Sequence, residues 1–238
     1  MQAIRVWDLP TRVFHGLLFV AVLIALITGE EGEEGVLSIH QIVGFLVMAL
    51  LIFRLAWGVV GTRHARFTSF IRGPKTVLDY ARALARFAPP ASLGHNPLGA
   101  WMIVFLLVDL TVVVGTGLFA GEGEGGEEHG EGEAGEGGGT VEGGPFADLV
   151  SPGTVDFLSG VHEVFANLLI ALIIAHVLGV LIDWLLTRDN LVRAMVTGEK
   201  ALKPGFDPAQ AIRSSRLYVA IPLALAAIGV TCYIALAG

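Results

Sequence analysis

Five stretches of this 238-residue chain are each apolar enough and long enough to cross a bilayer: roughly Thr11–Thr28, Ile39–Val60, Leu98–Ala120, Val155–Leu186 and Leu217–Leu236. A helical crossing takes about 20 mostly apolar residues. No water pairs with backbone amides inside the hydrocarbon, so each stretch must satisfy its own N–H and C=O groups. A helix does this and an open strand edge does not. The fold expected is therefore all-α and integral to a membrane. A hydrophobic content of 54% and a mean hydropathy of +0.70 agree, since soluble domains are less apolar. The fourth stretch exceeds one straight crossing, so part of it should tilt or lie in the interface. The first resembles a secretory signal, with Arg5 and Arg12 before an apolar run. Asp8 interrupts that basic region, however, and TGEEGEEG follows where small residues would mark a cleavage site, so it reads as a retained helix.

Charge sets an orientation. With five spans, all fifteen Lys and Arg fall on the side of the N-terminus or in the half-span next to it, and none lies in Gly29–Ser38 or Gly121–Thr154. The positive-inside rule then puts the N-terminus in the cytoplasm and the C-terminus outside. Trp7, Trp57, Trp101 and Trp184 all fall at cytoplasmic span ends, as an aromatic belt would. The outer loops are acidic: Gly29–Gly35 carries four Glu and Gly121–Gly144 carries eight. The second loop is low in complexity and should be disordered. It reads either as a solvated tether or as a lure that steers a cationic redox partner, or binds cations through Glu and His129. A net charge of −7 gives no reason to expect nucleic acid. Cys232 is the single cysteine and no CxxCH occurs, so this chain alone forms no disulfide, no cysteine-held cluster and no covalent c-type haem.

Four of the seven histidines lie within spans, where ionisable groups are rare and functional by default. By depth they form two pairs: His40 with His162 on the outer side, and His15 with His176 on the inner side. In VHEVFANLLIALIIAH the two histidines of the fourth span are fourteen residues apart. That is about 21 Å of helix and within about 40° of four full turns, so both imidazoles leave one face at two depths. Each then meets a histidine from another helix. Two imidazoles opposed across a gap are the ligand set of a bis-histidine haem. Zinc asks for three or four N, S or O ligands, and few acids lie at these depths. Neutral imidazoles also avoid burying charge. Each second ring nitrogen should donate to a carbonyl one turn back or to a nearby side chain. The alternatives are ordinary buried histidines bonded between helices, and a histidine proton relay.

Arg54 follows His40 by fourteen residues and so shares its face at the inner level. A buried arginine there calls for an anion such as a haem propionate, unless it snorkels to the headgroups. Gly44, Gly115 and Gly117 could give a flat porphyrin room, or could serve close helix packing.

Four blocks, VWDLPTRVFH (6–15), FRLAWGVVGTRHARF (53–67), GHNPLGA (94–100) and NLVRAMVTGEK (190–200), resemble the bacterial di-haem cytochrome b561 family, which includes the cytochrome b subunit of nickel–iron hydrogenases. The resemblance spans roughly residues 4 to 200. It implies a four-helix bundle holding two b haems in a bacterial inner membrane, and electron exchange between quinone and a redox protein. It matches the family's histidines to His15, His40, His162 and His176, and makes His95 a family residue. His95 would serve a propionate or a quinone, or cap the third span. Asp8, Arg12 and His95 are candidates for the quinone side. The chain departs from the family in its Glu/Gly-rich insert and its fifth span. Two units follow: a di-haem domain over 1–200, with the loop at about 121–144, and a cytoplasmic linker plus fifth helix over 201–238.

The function expected is transmembrane electron transfer through two b haems, between the quinone pool and a periplasmic c-type cytochrome or a hydrogenase iron–sulfur subunit. Rivals are a quinol-dependent oxidoreductase acting alone at the outer face, a haem-free proton or ion transporter, and a simple membrane anchor.

Overall fold

The computed structural model describes residues 3–29, 34–121, 143–202 and 205–237, with the backbone alone for 34–38. Five helices have the length and composition of membrane spans: α1 (Leu9–Thr28), α2 (Glu34–Val60), α5 (Pro97–Gly117), α6 (Pro152–Thr187) and α8 (Leu217–Ala237). Between them lie α3 (Phe67–Phe70), α4 (Pro74–Ala85) and α7 (Leu191–Thr197). The protein is all-α and multi-pass, with one addition that the sequence did not disclose. A two-stranded antiparallel ribbon pairs β1 (Ala3–Arg5) with β2 (Glu199–Ala201).

Local chemistry sets the helix ends. Asp8 caps α1 by accepting from the Thr11 amide at 2.7 Å, with Pro10 in the first turn. Asn96 caps α5 by accepting from the Gly99 amide at 2.7 Å, with Pro97 at the first helical position. These side chains satisfy amides that the helix itself leaves unpaired. α7 ends at Gly198, whose φ of +84° is open to glycine at little cost. The Gly198 carbonyl accepts from the amides of Val6 and Trp7. A Cβ on Gly198 would stand 2.8 Å from the Trp7 carbonyl oxygen. The ribbon therefore ties the start of the chain to the segment after α7.

The spans form two layers. α1 packs on α2 and α2 on α8; α5 packs on α6; the layers meet chiefly where α2 touches α5. The core between them joins Ala21 and Val22 of α1, Val43, Val47 and Leu51 of α2, Leu107 and Leu110 of α5, and Leu169 of α6. A second cluster sets Ala220 and Ala227 of α8 against Leu50, Phe53 and Trp57 of α2. Small residues at that contact let the backbones approach. The fifth helix thus packs on the bundle. α6 runs unbroken for 36 residues. At about 1.5 Å each this is some 54 Å, well beyond a hydrocarbon core of about 30 Å, so the helix projects past the span. Its inner end is anchored: Asp183 accepts at one oxygen from the Tyr80 hydroxyl and the Asn96 amide, each at 3.1 Å.

The Glu/Gly-rich stretch over 122–142, His129 included, lies outside the described residues, as do residues 30–33. Its flanks are described. Gly121 and Gly143 form an antiparallel bridge, and Gln41 donates to the Gly143 carbonyl at 3.0 Å.

Asp8 is 1% exposed and also accepts a short hydrogen bond from the Thr62 hydroxyl, which joins the start of α1 to the turn after α2. Asp8→Ala removes a cap and leaves a buried hydroxyl unpaired. It should cost about 1–3 kcal/mol and lower the melting temperature in detergent. Asp8→Asn, which keeps the acceptor oxygen, should recover most of the loss.

Candidate functional site

The two layers bring the four intramembrane histidines together in the pairs that depth predicts. The rings of His15 on α1 and His176 on α6 are centred 6.5 Å apart. Those of His40 on α2 and His162 on α6 are centred 6.1 Å apart. α6 supplies one member of each pair from a single face.

The outer pair is held from behind. His40 Nδ1 lies 2.9 Å from the Ala25 carbonyl oxygen of α1, and His162 Nδ1 lies 2.9 Å from that of Val113 on α5. Both acceptors are on neighbouring helices, not one turn back on the same helix as expected from sequence. Each belongs to the last five residues of its helix. The Ala25 carbonyl also accepts from the Gly29 amide at 2.9 Å, and that of Val113 from the Thr116 hydroxyl at 3.2 Å, so each imidazole shares an oxygen, with its two lone pairs, that also serves its own helix. With Nδ1 engaged, Nε2 is the nitrogen left on each ring. Glycine permits the approach. A Cβ on Gly29 would meet His40 Cε1 at 3.1 Å, and one on Gly117 would meet His162 Cε1 at 3.0 Å. Around Gly16, Gly44, Gly115 and Gly179, by contrast, a Cβ would meet nothing within 4 Å.

The inner pair is more open. His15 is exposed and lines a cleft of about 250 Å³ with Leu9, Arg12, Val13, Gly16, Met195 and Val196. The Arg12 guanidinium donates to the Met195 carbonyl at 3.2 Å and also to that of Val196. Of the three residues expected on the quinone side, only Arg12 borders this cleft. Asp8 is committed to its cap and to Thr62.

Arg54 does not snorkel. It is 4% exposed, donates to the Ala65 carbonyl at 3.3 Å and lies 4.9 Å over the Phe67 ring. Phe67 is seated by Gly58, where a Cβ would stand 2.0 Å from the ring. A guanidinium has five N–H donors, and this one makes a single hydrogen bond among the described residues. His95 does not cap α5, because Asn96 does. It is packed between Trp7 and Phe70, at 4.6 and 4.5 Å between ring centres, and its buried Nδ1 has no partner. Burial above all, then the charges of Arg54, His64, Lys200 and His176, pushes its pKa down to about 3. His95 is thus a neutral group within electrostatic reach of Arg54 and His176.

Two features escaped the sequence reading. One is the junction of Tyr80, Asn96 and Asp183. The other is Asp109, a buried carboxylic acid within α5. An acid in the run LLVDLTVVV was signal enough for the second.

Among the described residues no three His, Cys, Asp or Glu side chains converge as a metal site. The arrangement offers two nitrogen ligands per site, with Gly29 beside His40 and Gly117 beside His162. The sequence profile of the prokaryotic cytochrome b561 family matches residues 6–198, a segment that holds all four histidines, Arg54 and His95. The chain belongs to that family. This cytochrome is accordingly a membrane electron-transfer protein of the haem b class. It is 23% identical to the probable Ni/Fe-hydrogenase 1 B-type cytochrome subunit of Escherichia coli (strain K12), over 84% of this chain and 92% of the relative. It is 28% identical to a probable Ni/Fe-hydrogenase B-type cytochrome subunit of Rhodobacter capsulatus, over 52% of this chain and 58% of the relative. The corresponding protein of Cupriavidus necator is 23% identical, over 85% and 89%. No solved structure matches significantly.

The depressed pKa of His95 links folding to pH. Once unfolded, the imidazole binds a proton below its ordinary value of 6.5; folded, it stays neutral down to about 3. The unfolded chain thus takes up more protons in that interval, and stability falls as the pH drops through it. The melting temperature of the cytochrome should decline from pH 6.5 downward, and less steeply in His95→Gln.

Proposed function

We propose that this cytochrome carries electrons across the bacterial inner membrane on two b haems, one held by His40 and His162 near the outer face and one by His15 and His176 near the inner face. The observation that carries this reading is the spacing of the paired imidazoles. Two imidazoles that share one metal through nitrogens about 2 Å from it have ring centres roughly 6 Å apart. The rings here are centred 6.1 and 6.5 Å apart. Haem so bound would supply the one-electron chemistry that no side chain offers.

The chain's own residues do the rest. The Ala25 and Val113 carbonyls orient the outer imidazoles and raise their basicity as ligands. Gly29 and Gly117 admit those rings between helices, and around Gly44 and Gly115 an added Cβ would meet nothing within 4 Å. Arg54 and His95 are placed to hold the acidic edge of the inner group: Arg54 has spare donors, and His95 has an unpartnered nitrogen. Two sites about 21 Å apart along α6 divide the membrane into shorter electron hops than one site would.

The orientation that follows from the fifteen Lys and Arg puts the His15 side in the cytoplasm. Quinone would approach there, through the cleft beside His15 and Arg12. A redox protein would dock at the outer face, beside the acidic insert. The relatives named as hydrogenase cytochrome subunits favour a hydrogenase iron–sulfur subunit as that partner, with a periplasmic c-type cytochrome as the alternative. The family match stops at residue 198. This supports a haem-binding unit over residues 1–200, followed by a linker and α8 that bear no ligand.

The test is a visible spectrum and a pyridine haemochromogen count on the detergent-purified protein. Two b haems are expected. His40→Ala or His162→Ala should remove one, and His15→Ala or His176→Ala the other. Gly117→Ala should weaken retention of the outer haem alone. A colourless protein from haem-replete cells would sink the proposal, and variants that keep both haems would show that the pairing is wrong.

A further inference from the structure

Asp109 is the thirteenth of the twenty-one residues of α5, well inside the span. Its side chain is 3% exposed, and both carboxylate oxygens are buried without a hydrogen-bond partner. An ionised carboxylate is costly in such a place unless a positive charge balances it; the protonated acid costs far less.

Its position relative to the outer pair follows from helix geometry. Val113 and Thr116 lie four and seven residues after Asp109, on the same face of α5. That face grips His162: the Val113 carbonyl is 2.9 Å and the Thr116 hydroxyl 3.4 Å from His162 Nδ1. Asp109 is therefore one turn, about 6 Å, further into the membrane than the residue that orients the outer imidazole. His176 lies fourteen residues deeper on α6 than His162, some 21 Å away along the axis. Asp109 thus belongs with the outer site.

Among residues whose side chains are described, the titratable or charged groups on the two spans packed against α5 are Asp156, His162, Glu163, His176 and Asp183 on α6, and His40 and Arg54 on α2. α4 brings Lys75, Asp79, Tyr80 and Arg82, but it meets α5 at the inner end, where Tyr80 and Asn96 share Asp183. None of these groups is hydrogen-bonded to Asp109.

We propose that Asp109 is a proton-binding site coupled to the electron on the outer haem, an inference that rests on the two-haem reading above. A haem bound by the outer pair would, when oxidised, favour the Asp109 carboxylate through its positive charge. Reduction would cancel that charge, and the Asp109 carboxylate would then take a proton from water; on reoxidation the acid would give it back. One electron and one proton would enter together, the O–H bond formed on Asp109 replacing one broken on the donor in water, and the low-dielectric interior would gain no net charge.

The experiment is a spectroelectrochemical titration of the purified two-haem protein at a series of pH values. Loss of the outer signal in His162→Ala assigns the two potentials. The outer potential should fall as pH rises, by up to about 59 mV per unit, the one-electron equivalent of a tenfold change in proton concentration. The inner potential should stay level. Asp109→Asn, which preserves shape and stays neutral, should flatten the outer slope; Asp109→Glu should retain it. An outer potential flat in the unmodified protein, or a slope that survives in Asp109→Asn, would overturn the assignment while leaving the two-haem reading intact. A haem count below two would overturn that reading, and this one with it.

Discussion

The fourteen-residue interval between His162 and His176 governs this molecule. It places two ring nitrogens on one face of α6 at two depths, and every other element must conform to that ruler. α1 has to present a histidine near its beginning, α2 one near its own outer start, and both must stand off from α6 by the width of two facing rings. The packing complies. α6 leans on α5, α1 leans on α2, and the layers touch mainly through α2 and α5.

The polar side chains that tie one element to another sit toward the ends of the spans. On the inner side, Asp8 with Thr62 ties α1 to α2, and Asp183 with Tyr80 and Asn96 ties α6 to α4 and α5. The ribbon and Gly198 tie the N-terminal segment to α7. Arg54, seated on Phe67 by the space that Gly58 leaves, is part of the same layer. Each bond spares a group that lipid cannot hydrate, so each is worth more than its distance implies.

The spans were legible because hydropathy over twenty residues is a strong signal. Every predicted span begins and ends within a few residues of its helix, α2 excepted, whose first turn starts at Glu34. The histidine pairs were legible because depth and helical phase are simple arithmetic. Other features had no such arithmetic. The carbonyls that engage His40 and His162 belong to helices next door, a relation that sequence spacing cannot encode. The amphipathic α4, the β1–β2 ribbon and the Asp183 junction depend on contacts between distant residues. His95 looked like a candidate cap because it stands at a helix start; one position decides that role, and Asn96 holds it. Asp109 is legible as a lone acid among leucines and valines, but its burial without a partner depends on packing that the sequence does not spell out.

The bridge between Gly121 and Gly143, with Gln41 bonded to the latter, closes the outer end of α5 against the segment that leads into α6. The chain leaves and re-enters the bundle through one narrow doorway. Because the two glycines are bridged to each other, the outer ends of α5 and of the segment before α6 are held together by backbone contacts of the bundle itself. Gln41 follows His40 directly, and so the hydrogen bond that latches this doorway is also the sill of the outer histidine pair.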